Sequence, residues 1–419
     1  MNTDLLKYKL LQLAFSGQLS TKNNEDMDIS KVLEFIQSKH QELIDNKTIK
    51  KEKKISEIIL DEEKPFNIPN NWEWSRLYFC LDVRDGTHDS PKYVTDGIPF
   101  VTSKNLNNGA IDYSNITYIS QNDADKINMR SNVDDGDILF AMIGSIGNPV
   151  IVKKTFEFCI KNVALFKNPN KNVLLNKYIY YYLYLSQLRM KKESTGGLQP
   201  FVPLNYLRNY PIPITSPEEQ QRIVEKLDSI FVLLDQLEIR KANLYSLKQK
   251  LQKKVINMYI SGECEEDFEQ DKWGEDELGN LLIYEQPTKY LVKNEKYSNE
   301  YKSPVLTAGK TFILGYTNEK EGIFNNLPVI IFDDFTTASK YVDFPFKAKS
   351  SAMKILNCNP EMNIKYYYYY LQSLNYDSST HKRYWISEFA PMIVPVPSKN
   401  QQDRIVDRIE QLLNLIEQI

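Results

Sequence analysis

A long heptad pattern of apolar residues marks the middle of the chain. Its apolar positions follow 4-3-4-3 spacing and then continue at sevens: Ile223, Leu227, Ile230, Leu234, Leu237, Leu244, Leu251 and Met258. This spacing is typical of a coiled-coil seam. Ser216 and Pro217 suit the first positions of a helix, and Ser261-Gly262 suits its end. We therefore predict one continuous helix over 218–259.

The beginning of this helix recurs at the end of the chain. A shift of 182 residues places 216–237 on 398–419. The identical pairs are Ser216/Ser398, Gln220/Gln402, Arg222/Arg404, Ile223/Ile405, Val224/Val406, Leu233/Leu415 and Gln236/Gln418. Upstream, the tyrosine-rich segment "KYIYYYL" (177–183) resembles "KYYYYYL" (365–371). The pattern predicts two units that share one plan.

The end of the central helix recurs at the start of the chain, in "LLKYKLLQLAFSGQLS". There Leu6, Leu10 and Leu13 correspond to Leu251, Val255 and Met258, and a Ser-Gly pair follows in both places. The repeat is therefore circularly permuted. We expect the central helix to pack antiparallel against the two terminal helices together, with Leu6 near Ile419, because a coiled-coil seam needs a partner. The alternative is three independent surface helices.

The segments between the helices have the pattern of mixed α+β domains. "DGDILFAMIGSIGNPVIV" (135–152) predicts strand, glycine turn and strand, whereas "NKYIYYYLYLSQLRM" (176–190) predicts a helix with a buried aromatic face. The fold class is therefore α+β, with two similar globular domains separated by long antiparallel coiled-coil-like helices. The predicted segments are an N-terminal helix (1–20), a helical arm (21–64), a first globular domain (65–215), the central helix (216–262), a second globular domain (263–397) and a C-terminal helix (398–419).

Charge and cysteine content exclude several classes of protein. The net charge is −3, but the charged residues are unevenly distributed along the chain. The segment 240–254 carries six positive residues and no negative ones. The four cysteines and three histidines are scattered, which argues against a disulfide framework or a zinc site. We find neither a signal peptide nor an apolar run long enough to span a bilayer. These features predict a cytoplasmic protein.

Catalytic motifs are poorly supported. The sequence contains no Pro-Pro dipeptide of the kind that amino-methyltransferases use to hold a flipped base. The "GKT" at 309–311 lacks the first glycine of a phosphate loop, since Pro304 occupies that position, and we interpret it as a turn between strands. The chain is predicted to have no catalytic residues and no metal site. A cryptic nuclease or methylase is the less favoured alternative.

The remaining candidates for a functional role are polar residues in loops, and these residue types suit binding to double-stranded DNA. Such side chains read base edges in the major groove or contact phosphates. In the first domain the candidates are Arg84, Thr87, His88, Lys92, Tyr93, Ser103, Lys104, Asn105, Gly196, Gly197 and Gln199. In the second they are Lys310, Thr311, Thr336, Thr337, Lys340, His381, Lys382 and Arg383. The alternative for each is a solvated loop, and for the tyrosine runs we favour core packing over base stacking.

Several ordered motifs carry a resemblance to a known family. They are "AFSGQLS" (14–20), "PFNIPNNWEWSRL" (65–77), "DGTHDSPKYVTDGIPFVTSKNL" (85–106), "GDILFAMIGSIGNPVIV" (136–152) and "GGLQPFVPLNYLRNYPIPITSPEEQQRIVEKLD" (196–228). In order and spacing they resemble the specificity subunit of type I restriction–modification systems. The second unit departs more, because it lacks the DGTH and GDIL signatures.

The resemblance implies a function. Each globular unit would be a target-recognition domain that reads one half of a split DNA sequence. The helices would fix the gap between the halves and dock two methylation subunits, and restriction subunits would join this core. S-adenosylmethionine, ATP and Mg²⁺ would be used by those partners, and this chain would carry no cofactor. The alternative is a non-catalytic coiled-coil scaffold that binds only protein partners.

Overall fold

The chain forms two compact units, Met1–Glu238 and Ile239–Ile419. The division lies inside the long central helix, within the predicted central segment rather than at either of its ends. The computed structural model describes residues 3–19, 23–52, 54–197, 199–264, 273–309, 311–374, 376 and 382–419.

The first unit is a mixed α+β domain with helices at both ends of its sequence. Its helices are α1 (Thr3–Phe15), α2 (Ile29–Asp45), α3 (Leu77–Cys80), α4 (Gln121–Ser131), α5 (Asn176–Lys192), α6 (Leu204–Asn209) and the first part of α7 (Pro217–Ile260). Its strands are β1 (Glu73–Arg76), β2 (Asp82–Asp85), β3 (Tyr93–Val94), β4 (Ile98–Thr102), β5 (Leu106–Asn107), β6 (Ala110–Ile111), β7 (Thr117–Ile119), β8 (Ile138–Ala141), β9 (Gly147–Ile151), β10 (Cys159–Lys161), β11 (Val163–Lys167) and β12 (Pro211–Ile214).

Two four-stranded sheets build this unit. One is antiparallel, in the order β2-β11-β8-β9. The other has the order β10-β4-β7-β3, and its β10 and β4 are parallel. A separate antiparallel pair joins β1 to β12, immediately before α7. The predicted strand, turn and strand over 135–152 are confirmed as β8 and β9, and the predicted tyrosine-rich helix is confirmed as α5.

The second unit contains the rest of α7 together with a smaller α+β domain. Its other helices are α8 (Leu278–Leu281), α9 (Ile364–Ser373) and α10 (Lys399–Gln418). Its strands are β13 (Gly274–Glu277), β14 (Leu282–Glu285), β15 (Ser303–Leu306), β16 (Ile313–Thr317), β17 (Val329–Asp333), β18 (Ser339–Val342), β19 (Lys347–Ala348), β20 (Met353–Cys358) and β21 (Ile393–Val396).

The topology of the second unit repeats that of the first. Its antiparallel sheet has the order β14-β20-β17-β18, which corresponds strand for strand to β2-β11-β8-β9. A parallel pair, β15 with β19, corresponds to β4 with β10, and β13 pairs with β21 as β1 does with β12. Helix α9 takes the place of α5, and α10 takes the place of the start of α7. The predicted α+β fold with an internal repeat is therefore confirmed.

Buried tyrosines fill the same position in both units. In α5, Tyr178 and Tyr182 are fully buried, with ring centroids 4.9 and 5.2 Å from that of Phe15 on α1. In α9, Tyr366 and Tyr367 are fully buried. Burial of large rings at these positions stabilises the core. The predicted core packing of the tyrosine runs is confirmed.

A buried glutamine marks the same junction in each unit. Gln220 accepts a hydrogen bond from the backbone N–H of Leu175 at 2.9 Å and donates to the carbonyls of Val173 and Thr215 at 2.9 and 2.8 Å. Its counterpart Gln402 accepts from the N–H of Asn363 at 2.8 Å and donates to the carbonyl of Pro397 at 2.9 Å. Each amide therefore ties the start of the tyrosine helix to the strand–helix junction.

Each half of α7 has its own antiparallel partner within its unit. In the first unit, Lys7 Nζ lies 2.6 Å from Asp235, and Lys226 Nζ donates to the carbonyl of Leu19 at 2.8 Å. In the second, the side chains of Lys248 and Gln252 donate to Glu417 at 3.1 and 2.7 Å. The terminal helices therefore pair with α7 as the permuted repeat predicts. The expected proximity of Leu6 to Ile419 stays a prediction.

The seam of α7 is buried in its first part and exposed further along. Ile223, Leu227 and Leu234 are more than nine-tenths buried. Leu244 and Leu251 have relative exposures of 41% and 40%, and Leu247, which lies between them, has 62%. The heptad spacing predicted buried positions at Leu244 and Leu251, so this part of the seam is an exposed apolar surface on the described second unit.

The arm between α1 and β1 docks through α2. His40 is buried against the rings of Tyr78 and Phe79, with centroid distances of 4.7 and 5.4 Å. Burial lowers the pKa of the His40 imidazole below its ordinary value. The neutral ring therefore stabilises the docked arm, because a charged ring is poorly solvated there.

The arm is expected to loosen as pH falls. Because the folded-state pKa of His40 is depressed, docking is strongest above about pH 6.5 and weakens below it, by at most about tenfold per pH unit for one proton. Hydrogen exchange of α2 across pH 5–8, corrected for intrinsic rates, measures this. His40→Phe should flatten the pH dependence. An unchanged slope in that variant would assign the effect to other groups.

Candidate DNA-recognition surface

One edge of the antiparallel sheet in the first unit brings the predicted loops together. Register places Asp85 opposite Ala164, Val163 opposite Ala141, and Ala141 opposite Gly147. The end of β2, the start of β11, the end of β8 and the start of β9 therefore meet there. We call the loops at this edge, 86–92, 103–105, 142–147, 195–197 and 199–201, the first loop edge.

The loop that follows β2 is fixed through its backbone. The N–H of Gly86 donates to the carbonyl of Val163 at 2.9 Å, and that of Thr87 donates to Ile160 at 3.1 Å. A Cβ on Gly86 would lie 2.3 Å from the carbonyl oxygen of Ile160, so only glycine fits this approach. The N–H of Asn162 donates back to the carbonyl of Thr87 at 3.1 Å. The loop is therefore held against the β10–β11 junction.

His88 is exposed, but both of its ring nitrogens face groups of the protein. Nδ1 lies 2.7 Å from Asn162 Oδ1, and Nε2 lies 3.0 Å from Asp85 Oδ2. Thr87 and His88 are both among the residues that the sequence predicts to contact DNA. A ring nitrogen of His88 can contact a base only if one of these interactions breaks. Thr87 Oγ1 accepts from the N–H of Asp89 at 3.1 Å and keeps its own proton available.

A buried carboxylate lies beneath His88. Asp85 is 4% exposed and also forms an ion pair with Arg130, the penultimate residue of α4. Arg84 pairs with Asp82 at 2.6 Å and donates to the backbone carbonyl of Arg130 at 3.2 Å, so it supports the end of α4. Asp85 therefore orients two exposed side chains from two different elements.

The three residues of the segment 103–105 have different surroundings. Ser103 is buried and donates to the carbonyl of Asn162 at 3.0 Å. Asn105 accepts from the N–H of Thr102 at 2.9 Å and donates to the carbonyl of Asp112 at 3.0 Å. Of the three predicted residues, only Lys104 is exposed.

Lys92 and Tyr93 follow the His88 loop in the chain, and both are exposed. Tyr93, on β3, is 50% exposed, with its ring centroid 6.4 Å from that of Phe100. Lys161, which the sequence did not single out, bonds to Ser90 and lies next to Asn162. Cationic and aromatic groups therefore surround the His88 loop.

The loop that contains Gly196 and Gly197 is joined to the same edge through the residues that follow β8. Backbone bonds of 3.0 and 2.8 Å between Thr195 and Phe201 close it, and the N–H of Gly144 donates to the carbonyl of Pro200 at 3.0 Å. Gly196 has φ +96°, and a Cβ there would lie 2.7 Å from the carbonyl of Gln199, so the turn requires glycine. Gln199 is exposed, and a Cβ on Gly197 would meet open space.

In the second unit, the corresponding edge carries the hairpin between β17 and β18. Asp333 Oδ1 accepts from the N–H groups of Phe335 and Thr336, both at 2.9 Å. Thr337 adopts φ +60° at the tip, which is rare for a β-branched residue. Thr336 is exposed, and Lys340 follows on β18, opposite Ile331.

A buried aspartate links this hairpin to the segment before β21. Asp334 accepts from the N–H groups of Tyr384 and Trp385 at 2.9 and 2.8 Å and lies 3.4 Å from the buried Lys354. Lys382 and Arg383 immediately precede these residues and are exposed. The hairpin and the Lys382–Arg383 pair therefore lie together.

The remaining candidates in the second unit are Lys310, Thr311 and His381. Thr311 lies in the turn between β15 and β16, where its carbonyl accepts from Thr307 Oγ1 at 2.7 Å. The "GKT" segment therefore falls between two strands, as predicted. Lys310 and His381 lie outside the described residues.

The described residues also bear on metal binding, on cysteine reactivity and on membrane insertion. Over the ranges described, no group of three or more His, Cys, Asp and Glu side chains is placed to hold a metal ion. Burial raises the pKa of the Cys80 and Cys159 thiols to about 12 and that of Cys358 to about 11, which keeps them protonated. A transmembrane helix is not found in this part of the chain.

Two copies of one α+β plan, each with polar loops at one sheet edge, define a protein built from a tandem duplication. The family sequence model described as "Type I restriction modification DNA specificity domain" matches residues 81–248 and 270–419. The matched regions cover most of the chain and fall on both copies. The chain therefore belongs to this family.

Individual relatives agree with this assignment. The chain is 49% identical over 146 residues to the type I restriction enzyme EcoR124I/EcoR124II specificity subunit of Escherichia coli, covering 33% of this chain and 36% of that relative. It is 25% identical over 289 residues to the EcoAI specificity subunit of the same organism, covering 63% and 45%. The chain thus spans less than half the length of these curated relatives.

A solved structure supports the fold. A chain from a study of complex assembly and conformational transition of the type I R-M system superposes with a TM-score of 0.56 at 15% identity. It covers 84% of this chain and 93% of that one. At this identity the similarity concerns the fold alone.

Proposed function

We propose that this chain is the DNA sequence-specificity subunit of a type I restriction–modification complex. The observation that carries the proposal is that the family model matches both units, which have the same topology. Two similar domains suit a ligand with two separate recognition elements. Each unit reads one half of a bipartite sequence in double-stranded DNA, using the loops at its sheet edge. Exposed Lys92, Lys104 and Gln199 in the first unit have the chemistry for phosphate and base contacts.

The chain carries no chemistry of its own in this proposal. Two methylation subunits supply S-adenosylmethionine-dependent methylation, and restriction subunits supply ATP- and Mg²⁺-dependent cleavage, in the cytoplasm. Support comes from the sequence, which lacks the motifs of base methylation and nucleotide binding. The specificity subunit then acts as an adaptor between a DNA sequence and those enzymes.

The helices set the spacing of the half-sites and dock the methylation subunits. The exposed middle of the α7 seam supports docking, because Leu244 and Leu251 lie one heptad apart and are exposed, as is Leu247 between them. A contiguous apolar stripe in water favours association with a partner surface. A helical surface of a methylation subunit is the partner that we propose for this stripe.

Replacing Leu247 with aspartate is expected to weaken assembly with the methylation subunit by about 10- to 100-fold, because a charge then enters an apolar interface. Sedimentation or calorimetric titration of the purified subunits measures the affinity. Gln249→Asp, two residues along the exposed helix, adds the same charge and should change affinity by less than about threefold. Equal losses in both variants would indicate a general charge effect instead of seam docking.

Selection of duplexes from a randomised pool tests the proposed function. The chain is co-purified with its methylation subunit and mixed with a pool of randomised duplexes, and the retained duplexes are sequenced. Enrichment of two short constant blocks separated by a fixed number of variable base pairs is expected. A complex that assembles but enriches no sequence would favour the alternative, a coiled-coil scaffold that binds only proteins.

A further inference from the structure

Arg130 lies on the surface of the first loop edge, although it belongs to α4 rather than to any of the loops. Its side chain is 61% exposed, while its partner Asp85 has a side chain only 6% exposed. The backbone at Arg130 is held as well, because Arg84 donates to its carbonyl. A guanidinium on an exposed helix end is therefore fixed by a buried carboxylate and by its neighbouring strand.

Holding the guanidinium of Arg130 in place changes the kind of interaction for which it is best suited. A free arginine loses side-chain entropy when it binds, whereas a held one has already lost part of it. Asp85 also offsets the positive charge of Arg130, which weakens long-range attraction to phosphates. A guanidinium that is oriented and partly neutralised therefore favours directional hydrogen bonding over sequence-independent affinity.

The ring of His88 completes the arrangement. Asp85 Oδ1 faces Arg130, while Oδ2 faces His88 Nε2, and Asn162 holds the other ring nitrogen. Both His88 nitrogens are engaged inside the protein, whereas Arg130 keeps a side chain that is 61% exposed and carries further N–H donors besides the one that faces Asp85. Asp85 therefore orients the guanidinium of Arg130, and the His88 loop packs beside it.

We propose that Arg130 is a specificity-determining residue that reads a guanine in the half-site of the first unit, with Asp85 as its positioning residue. The inference rests on the proposed function. Arginine donates two parallel hydrogen bonds to O6 and N7 of guanine in the major groove, a geometry that a held guanidinium matches. Lysine, with a single compact ammonium, does not reproduce it.

The test begins with the motif selected by the wild-type chain in complex with its methylation subunit. Duplexes are then made with each base pair of both half-sites substituted in turn, and affinities are measured at several salt concentrations. Arg130→Ala should reduce discrimination at one G·C pair by about 5- to 150-fold and leave the other half-site unchanged. Arg130→Lys should restore charge without restoring this discrimination.

Two further variants separate base reading from other roles. Lys126 is exposed on the preceding turn of α4, so Lys126→Ala is the matched control for loss of a positive charge. It should leave base discrimination intact. Asp85→Asn keeps the side-chain volume and removes the charge. It should lower discrimination at the same G·C pair while leaving or raising affinity for unrelated duplexes, a combination that simple misfolding does not produce.

The outcomes distinguish this inference from the function on which it rests. If the wild-type complex selects no motif, the proposed function fails. If a split motif is selected but Arg130→Ala leaves all base preferences unchanged, the assignment of Arg130 is wrong. Uniform weakening of all duplexes, with the slope of log K against log salt reduced by about one, would make Arg130 a phosphate contact and would also overturn the inference.

Discussion

Replacing Arg76 with alanine is expected to lower the free energy of unfolding of the first unit by about 3 kcal/mol or more. Arg76 is 4% exposed at the end of β1. Its guanidinium pairs with Glu63 at 2.9 Å and donates to the carbonyls of Ser56, Ile58 and Asn209 at 2.6, 2.8 and 2.7 Å. One side chain therefore binds the arm to the β1–β12 junction, and its loss leaves several acceptors unpaired.

The second unit supplies a control for this substitution. Glu277 ends β13 as Arg76 ends β1, but it is exposed. Glu277→Ala should change stability by less than about 0.5 kcal/mol. Because two units can unfold separately, hydrogen exchange read by peptide is the suitable measurement. Unchanged protection of 54–64 and of β1 in Arg76→Ala would show that the arm is held mainly by its apolar contacts.

Removing either buried glutamine is expected to destabilise its own unit by about 2–4 kcal/mol. Gln220→Ala leaves one N–H and two carbonyls without their side-chain partner, and each unpaired buried group costs roughly 1–3 kcal/mol before relaxation or water entry. Gln402→Ala should act on the second unit in the same way. Denaturation followed by unit-resolved hydrogen exchange measures both effects.

Gln221 provides the matched control for the glutamine variants. It follows Gln220 directly but is exposed and donates to Glu225 on its own helix. Gln221→Ala should lie within about 0.5 kcal/mol of the wild type. If Gln220→Ala were equally mild, the repeated glutamine would be a remnant of duplication without a stabilising role at the junction.

The fold could be predicted from the sequence where the signal is local or repeated. Heptad spacing and terminal residues defined α7 to within one residue at each end, because helix periodicity and capping depend on near neighbours. The tyrosine runs were placed in the core because both copies carry them. The exposure of Leu247 was not predictable, since periodicity shows that a seam exists but not whether this chain covers it.

The candidate surface was predicted only in part. Glycine-bounded loops pointed to Lys92, Lys104 and Gln199, which are exposed. Ser103 had the same polar signature, yet it is buried and holds Asn162. Loop composition cannot separate these cases, because each depends on what the sheet register brings alongside.

Arg130 and Asn162 were missed for a related reason. Arg130 lies on a polar helix whose sequence gives no sign that it packs beside β2, 45 residues earlier. Asn162 adopts φ +54° at the junction of β10 and β11, and its neighbours in sequence are strand residues. Only the positive φ tolerated by asparagine offers a sequence-level hint, and that signal is weak.

A base-resolution map of DNA methylation tests the central claim most directly. The chain is expressed with its methylation subunit in cells that lack other methylation, and every modified base is located across the genome. Two independent readers on one chain predict a single motif of two short constant blocks separated by a fixed number of variable base pairs, with Arg130→Ala altering only one block. A contiguous motif, or no methylation from an assembled complex, would contradict the account.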